Sequence, residues 1–216
     1  ARVVPVPDPK LSKLSQHKWR QPTNLKTLLI PLSKFRTLTF GLGSVAHDGN
    51  LGAIRTSVVK ILKNVSADFD RIQVTYRGGK KESDPLWKIF QYEKKIEWLD
   101  AKQYPASKAM YEASVVLWDV ATTGLFETLA AGVPCVVLLS PKNWSKQSRW
   151  AYDMLIEAGI GSETDGSAIA SVRRFLLDPV SWQDARANVE PVCLSFGRVS
   201  ADVESIWRKL LTEQSL

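Results

Sequence analysis

Short apolar runs alternate along this chain with segments of helical periodicity. Four runs have the length of buried strands, at Arg71–Tyr76, Ile96–Leu99, Val115–Trp118 and Cys135–Leu139. Between such runs, apolar residues recur three and four positions apart, which predicts helices. Strands of roughly four to six residues that alternate with helices of about ten predict βαβ units and a parallel sheet.

The first part of the chain lacks this regular pattern. Its prolines remove backbone donors and restrict their neighbours, so we expect irregular or extended chain. Within it, Leu25–Leu32 is apolar and is predicted as an edge strand that Pro31 ends. Thr37–Phe40 is a strand candidate that opens the regular body. We therefore predict an irregular basic arm over residues 1–35 and one Rossmann-like α/β domain over residues 36–216, with a parallel sheet flanked by helices.

The charge of the chain is concentrated in that arm. The 216 residues carry a formal net charge of +7, and residues 1–40 hold eight bases against one acid. The remainder is balanced, so we do not expect nucleic acid as a partner of the folded domain. No apolar run reaches the roughly 18–20 residues of a membrane helix. Cys135 and Cys193 lie among apolar neighbours and are interpreted as buried free thiols, which suits a reducing compartment.

The segment from residue 113 to residue 140 carries the strongest chemical signal. A strand ends at Asp119, a short loop of Thr122, Thr123 and Gly124 opens a helix, and that helix carries Glu127. Ligands of open parallel sheets bind at the carboxyl ends of the strands. A helix N-terminus there offers free N–H groups and a positive dipole end to a phosphate. Glu127, one turn into the helix, is placed to accept hydrogen bonds from a ribose diol. Alternatively, Asp119 only accepts hydrogen bonds from backbone N–H groups at the helix N-terminus, and Glu127 is only a solvent-exposed helix residue.

This segment resembles the nucleotide-sugar site of GT-B glycosyltransferases. The match is an acidic residue at Asp119, seven residues to Glu127, and then the pattern E-x-L-x-x-G-x-P, which ends at Pro134. The resemblance implies that Glu127 binds the ribose and that Asp119, where the family more often has Glu, lies near the donor sugar as a catalytic residue. Thr122, Thr123 and Gly124 would then hold the phosphates.

Further candidates follow other predicted strands. Gly43 and Ser44 belong to a G-x-G turn that the resemblance places against the nucleotide, although a tight turn explains them equally well. Arg77 and Lys80 follow the strand Arg71–Tyr76, where the resemblance implies cations that stabilise the leaving diphosphate. The alternative for both is a solvated basic turn.

Two further residues, His47 and Trp144, are candidates for chemistry. His47 is a candidate general base or an exposed loop residue, and Trp144 is a candidate to stack on a base or a sugar. No His, Cys and Asp cluster has metal-ligand spacing, and no P-loop is present, so we expect no metal and no cofactor other than the nucleotide-sugar substrate.

The resemblance defines the expected function. It implies the donor-binding half of a glycosyltransferase that moves a sugar from a nucleotide-activated donor to a glycan or lipid-linked acceptor, with an N-terminal GT-B domain missing from this chain. The downstream sequence is similar to transferases of bacterial surface-polysaccharide and lipopolysaccharide loci, including enzymes related to Kdo transferases. We expect a cytoplasmic protein with peripheral contact at the inner membrane face. The alternatives are a nucleotide-sugar epimerase of the same architecture and a non-catalytic sugar- or nucleotide-binding module.

Overall fold

The fold is a six-stranded parallel sheet with helices on both faces. The computed structural model describes residues 25–33, 48–76, 81–141, 144 and 146–195. The sheet has the order β3-β2-β1-β4-β5-β6, in which every neighbouring pair is parallel. The strands are β1 Thr27–Pro31, β2 Arg71–Tyr76, β3 Ile96–Asp100, β4 Val115–Trp118, β5 Cys135–Leu138 and β6 Gly161–Ser162. The predicted Rossmann-like fold class is therefore confirmed.

Helices and short 3-10 turns connect these strands. The helices are α1 Asp48–Val65, α2 Pro85–Phe90, α3 Ala106–Glu112, α4 Thr123–Ala131, α5 Arg149–Glu157, α6 Asp165–Leu177, α7 Pro179–Asn188 and α8 Glu190–Ser195. The connection from β1 to β2 and the connection from β4 to β5 run in opposite directions across the sheet. Because such crossovers are right-handed, α1 and α4 lie on opposite faces of the sheet. On these faces α1 packs against α6, and α3 packs against α4.

The central strands are buried because helices cover both of their sides. Every residue of β1 and β4 is buried, as expected for parallel strands that are apolar on both faces. Strand β3, by contrast, is half-buried and includes an exposed residue, which is the pattern of a sheet edge.

Strand β1 corrects one prediction. Thr27–Pro31 is the centre of the sheet, paired with β2 on one side and with β4 on the other, whereas the sequence assigned it to the basic arm as an edge strand. Pro31 is tolerated because it is the last residue of the strand, and the ladder continues when the Leu32 N–H donates to the Thr75 carbonyl at 2.8 Å. The strand candidate Thr37–Phe40 lies outside the described residues, as do residues 1–24, 34 and 35 of the predicted arm.

Local capping explains where the helices of the site begin and end. Thr122 is the N-cap of α4, and its hydroxyl accepts from the Gly124 N–H at 3.3 Å. The same helix ends at Gly132, whose φ of 77° is left-handed. Helix α6 begins with a capping box between Thr164 and Ser167. Within the described residues, no helix is long and apolar enough to span a membrane.

Candidate functional site

A buried ion cluster joins the carboxyl ends of β1 and β4. Asp119, directly after β4, has no solvent exposure. One carboxylate oxygen accepts from the Ser33 hydroxyl at 2.8 Å, and the other accepts from the Ser33 N–H at 2.8 Å and from Arg55 Nη1 at 2.5 Å. Arg55 in α1 also donates through Nε to Asp84 at 3.2 Å and through Nη2 to the Ser33 carbonyl at 2.6 Å. Asp84 in turn is the N-cap of α2 and accepts from the Leu86 N–H at 2.8 Å.

This geometry gives Asp119 structural contacts that the sequence did not predict. The Asp119 carboxylate is fully buried and bonded to Ser33 and Arg55. It fixes the end of β4, and with it the start of the β4–α4 loop, to β1 and α1. Asp119 is thus a positioning residue, and its predicted contact with the donor sugar stays a prediction.

The first turn of α4 is shaped by a close contact with Trp118. A Cβ added at Gly124 would lie 2.2 Å from the Trp118 ring, so only glycine permits this approach. The Trp118 Nε1–H donates to the Thr128 hydroxyl at 3.1 Å, and that hydroxyl donates to the Gly124 carbonyl at 2.7 Å. The indole ring is therefore held rigidly against the helix N-terminus, whose positive dipole end suits an anion.

A cavity of about 360 Å³, the α3–α4 cavity, opens beside this turn. Thr123, Gly124 and Glu127 of the predicted set all line it. The opposite wall is the β3–α3 loop, including Lys102, together with the start of α3. Asp100 fixes that loop, because its side chain accepts from the Lys102 N–H at 2.9 Å and its carbonyl accepts from the Tyr104 N–H at 2.8 Å.

Two tyrosines near this cavity remain protonated at neutral pH. Burial, followed by the charge of Glu127, raises the pKa of Tyr111. Burial and a hydrogen bond to Glu112 raise the pKa of Tyr104 to about 12. Neither phenol is therefore a base at neutral pH.

A second cavity lies on the other side of the β4–α4 loop. This α1–α6 cavity has a volume of about 190 Å³ and is lined by α1, the ends of β4, β5 and β6, and the start of α6. Val120 and Ala121 line this cavity, whereas Thr123 and Gly124 line the α3–α4 cavity. The loop that Asp119 anchors therefore separates the two cavities.

The structure brings together part of the predicted site. Thr123, Gly124 and Glu127 share one cavity, and Thr122 caps the helix beside it. Arg77, Lys80, Gly43, Ser44 and His47 lie outside the described residues, and their roles stay predictions. Sequence reasoning missed Ser33, Arg55 and Asp84. In the described part of the chain, no group of three His, Cys, Asp or Glu residues is placed to hold a metal ion.

The fold defines a doubly wound α/β protein, and its cavities lie at the carboxyl edge of the sheet, near the topological switch point where such folds bind ligands. The chain is similar to a mutant O-GlcNAc transferase of Thermobaculum terrenum, with 18% identity over 97% of this chain and 38% of that one, at a TM-score of 0.51. It is similar to the spinosyn forosaminyltransferase SpnP, with 16% identity over 98% and 49% of the two chains and a TM-score of 0.51. It is also similar to apo UGT2 of Phytolacca americana, with 14% identity over 100% and 48% and a TM-score of 0.50. This chain thus spans about half or less of each of these proteins.

The chain belongs to the LIC12162 family of transferases, whose model matches residues 1–211. The resemblance stated from the sequence is confirmed in family and in fold. No significant match to this chain was found among curated proteins.

Proposed function

We propose that this chain is the donor-binding half of a GT-B glycosyltransferase and that the α3–α4 cavity holds the nucleoside of a nucleotide-sugar. The observation that carries the proposal is the convergence of Glu127, the N-terminus of α4 and the fixed β3–α3 loop on one cavity. A carboxylate accepts from the two hydroxyls of a ribose. The helix N-terminus supplies N–H donors for the diphosphate, and Lys102 adds a cation on the opposite wall.

Isothermal titration with nucleotides and nucleotide-sugars tests this assignment. We expect a nucleoside diphosphate to bind the chain and Glu127→Ala to weaken it at least tenfold, because the ribose hydroxyls lose their acceptor. Glu157→Ala is the matched control, since Glu157 is an exposed acid on α5 that does not line the cavity. If no nucleotide binds, or if both variants bind as the unaltered chain does, the assignment is wrong.

We further infer that the acceptor is a surface glycan or a lipid-linked glycan and that the enzyme works at the inner face of the membrane. The support is the sequence resemblance to polysaccharide-locus transferases and the positive charge of residues 1–40. Co-sedimentation with vesicles that contain phosphatidylserine tests the membrane contact, with phosphatidylcholine vesicles as the control. Equal binding to both lipids, or to neither, would contradict it. A product assay without acceptor separates transfer from epimerisation, since an epimerase needs no acceptor.

A further inference from the structure

The α1–α6 cavity has the composition of a carbohydrate site. Trp144 supplies a half-buried aromatic face, and apolar atoms of α1 and of the strand ends supply the floor. The polar groups on its walls include the hydroxyls of Ser57 and Ser140 and the carboxylates of Glu163 and Asp165. A pyranose has apolar C–H faces that pack on an aromatic ring and hydroxyls that donate to carboxylates. At about 190 Å³, the cavity exceeds the roughly 150 Å³ of an engineered protein cavity that binds benzene, so it has room for one six-membered sugar ring.

One buried tyrosine fixes both the aromatic face and a carboxylate. Tyr152 is 2% exposed, and its ring packs edge-on against Trp144 with centroids 5.7 Å apart. Its hydroxyl donates a hydrogen bond to Glu163. On its other side, the Arg149 guanidinium lies 4.4 Å from the ring centroid. The cavity walls are therefore held before a ligand arrives, which lowers the entropic cost of binding.

A buried hydroxyl of this cavity lacks a partner. Ser162 lines the cavity and is 2% exposed, and its Oγ makes no hydrogen bond within the described residues. An unsatisfied buried polar group is costly, and a hydroxyl or an amine of a ligand removes that cost.

The walls of the cavity are negatively charged. Neither Lys nor Arg is found among the described residues that line it, whereas two acids are. Lys60 pairs with Asp165 at 3.3 Å from outside the lining, but no described cation forms an ion pair with Glu163. Such walls repel an anion and attract a cation.

We propose that the α1–α6 cavity binds the sugar ring of the substrate and that Glu163 and Asp165 select neutral and amino sugars over acidic ones. The proposal rests on the proposed function in one respect. The β4–α4 loop places this cavity next to the helix N-terminus assigned to the diphosphate, so a donor reaches from one cavity into the other.

Binding of simple glycosides tests the sugar class without a nucleotide. The probes are methyl glucosaminide, methyl glucoside and methyl glucuronide, which share a ring and differ in charge. Titrations followed by saturation-transfer NMR give their dissociation constants for the full chain. We expect the glucosaminide to bind at least about fivefold tighter than the glucuronide at low salt, the effect of one charge pair at contact distance in water. The preference should shrink at high salt.

Two variants separate charge from shape. Glu163→Gln should reduce the preference for the glucosaminide several-fold. Trp144→Leu should instead weaken the binding of all three glycosides and leave the order of their dissociation constants unchanged. Glu157→Gln, an exposed acid outside the cavity, should change nothing. Equal or tighter binding of the glucuronide, no binding of any glycoside, or an unchanged preference in Glu163→Gln would overturn the proposal. Nucleotide binding is measured separately. If the chain binds nucleotides but shows no preference among the glycosides, only the proposed sugar class is refuted and the proposed function stands.

Discussion

Replacing Arg55 by alanine tests the buried ion cluster at the carboxyl edge of the sheet. The Arg55 side chain is 3% exposed, and those of its partners Asp119 and Asp84 are 0% and 12% exposed. The substitution leaves Asp119 buried without its cation and removes a donor from the Ser33 carbonyl. Breaking a buried ion pair by removing one partner costs about 3–5 kcal/mol. That is a large fraction of the roughly 5–15 kcal/mol that stabilise a domain.

Urea unfolding followed by tryptophan fluorescence measures this cost as a change in the free energy of unfolding. The matched control is Lys60→Ala in the same helix, because Lys60 also pairs with an acid but is 62% exposed. A surface pair of this kind contributes about 0–1 kcal/mol. The reasoning is refuted if Arg55→Ala costs no more than Lys60→Ala.

A double variant shows whether the cost comes from the uncompensated charge. Arg55→Met with Asp119→Asn removes both charges and keeps most of the volume. We expect it to be less destabilised than the sum of its two single variants by at least about 1 kcal/mol, because neither Arg55 nor Asp119 is then left as an unpaired buried charge. Asp84 loses Arg55 in the single and in the double variant alike, so its contribution cancels in this comparison. Additive effects would instead assign the cost to lost packing.

Three further substitutions or treatments probe other parts of the fold. Gly124→Ala should lower the free energy of unfolding by about 1–3 kcal/mol and weaken nucleotide binding, because its Cβ would lie 2.2 Å from the Trp118 ring. The control is Gly166→Ala, which has open space for a Cβ and should be neutral or stabilising in the same unfolding assay. Gly132→Ala should cost about 1–2 kcal/mol in urea unfolding because φ there is 77°, and an unchanged midpoint would contradict this. Burial raises the pKa of the Cys135 thiol well above its usual range, so the folded thiol keeps its proton and should resist alkylation at pH 8 until urea is added. The unfolded Cys135 thiol ionises at about pH 8.5, whereas the folded thiol stays protonated. The free energy of unfolding should therefore fall as pH rises beyond about 8.5.

The sequence predicted those elements whose pattern is local. Val115–Trp118 and Arg71–Tyr76 were found with the bounds that the structure has, because their apolar runs and flanking turns are contiguous. The position of Thr27–Pro31 in the sheet was wrong because strand order is set by crossovers and not by the residues of one strand. A strand that ends in proline is typical of an edge, yet here Pro31 is the buried last residue of a central strand and pairs with Thr75.

The residues of the candidate site also divide into those that a local sequence pattern predicts and those that it does not. Thr123, Gly124 and Glu127 lie on one helix within five residues of sequence, so a linear motif brings them together. The partners of Asp119 are 86 and 64 residues away in sequence, at Ser33 and Arg55, and no linear pattern links them. One signal did exist: Arg55 lies three residues before Val58, on the apolar stripe of α1, where a charged residue needs a buried partner.

The burial of Asp119 fits a binding site better than an exposed carboxylate would. The loop after it separates the two cavities, so a ligand that occupies both must pass across this loop and the first turn of α4. A loop tied by Asp119 to Ser33 and Arg55 is already ordered, and binding does not have to order it. A carboxylate free in the loop would instead repel the diphosphate that we propose for the helix N-terminus. Pairing it with Arg55 inside the fold reduces that repulsion, so the positive dipole end of α4 remains favourable for an anion.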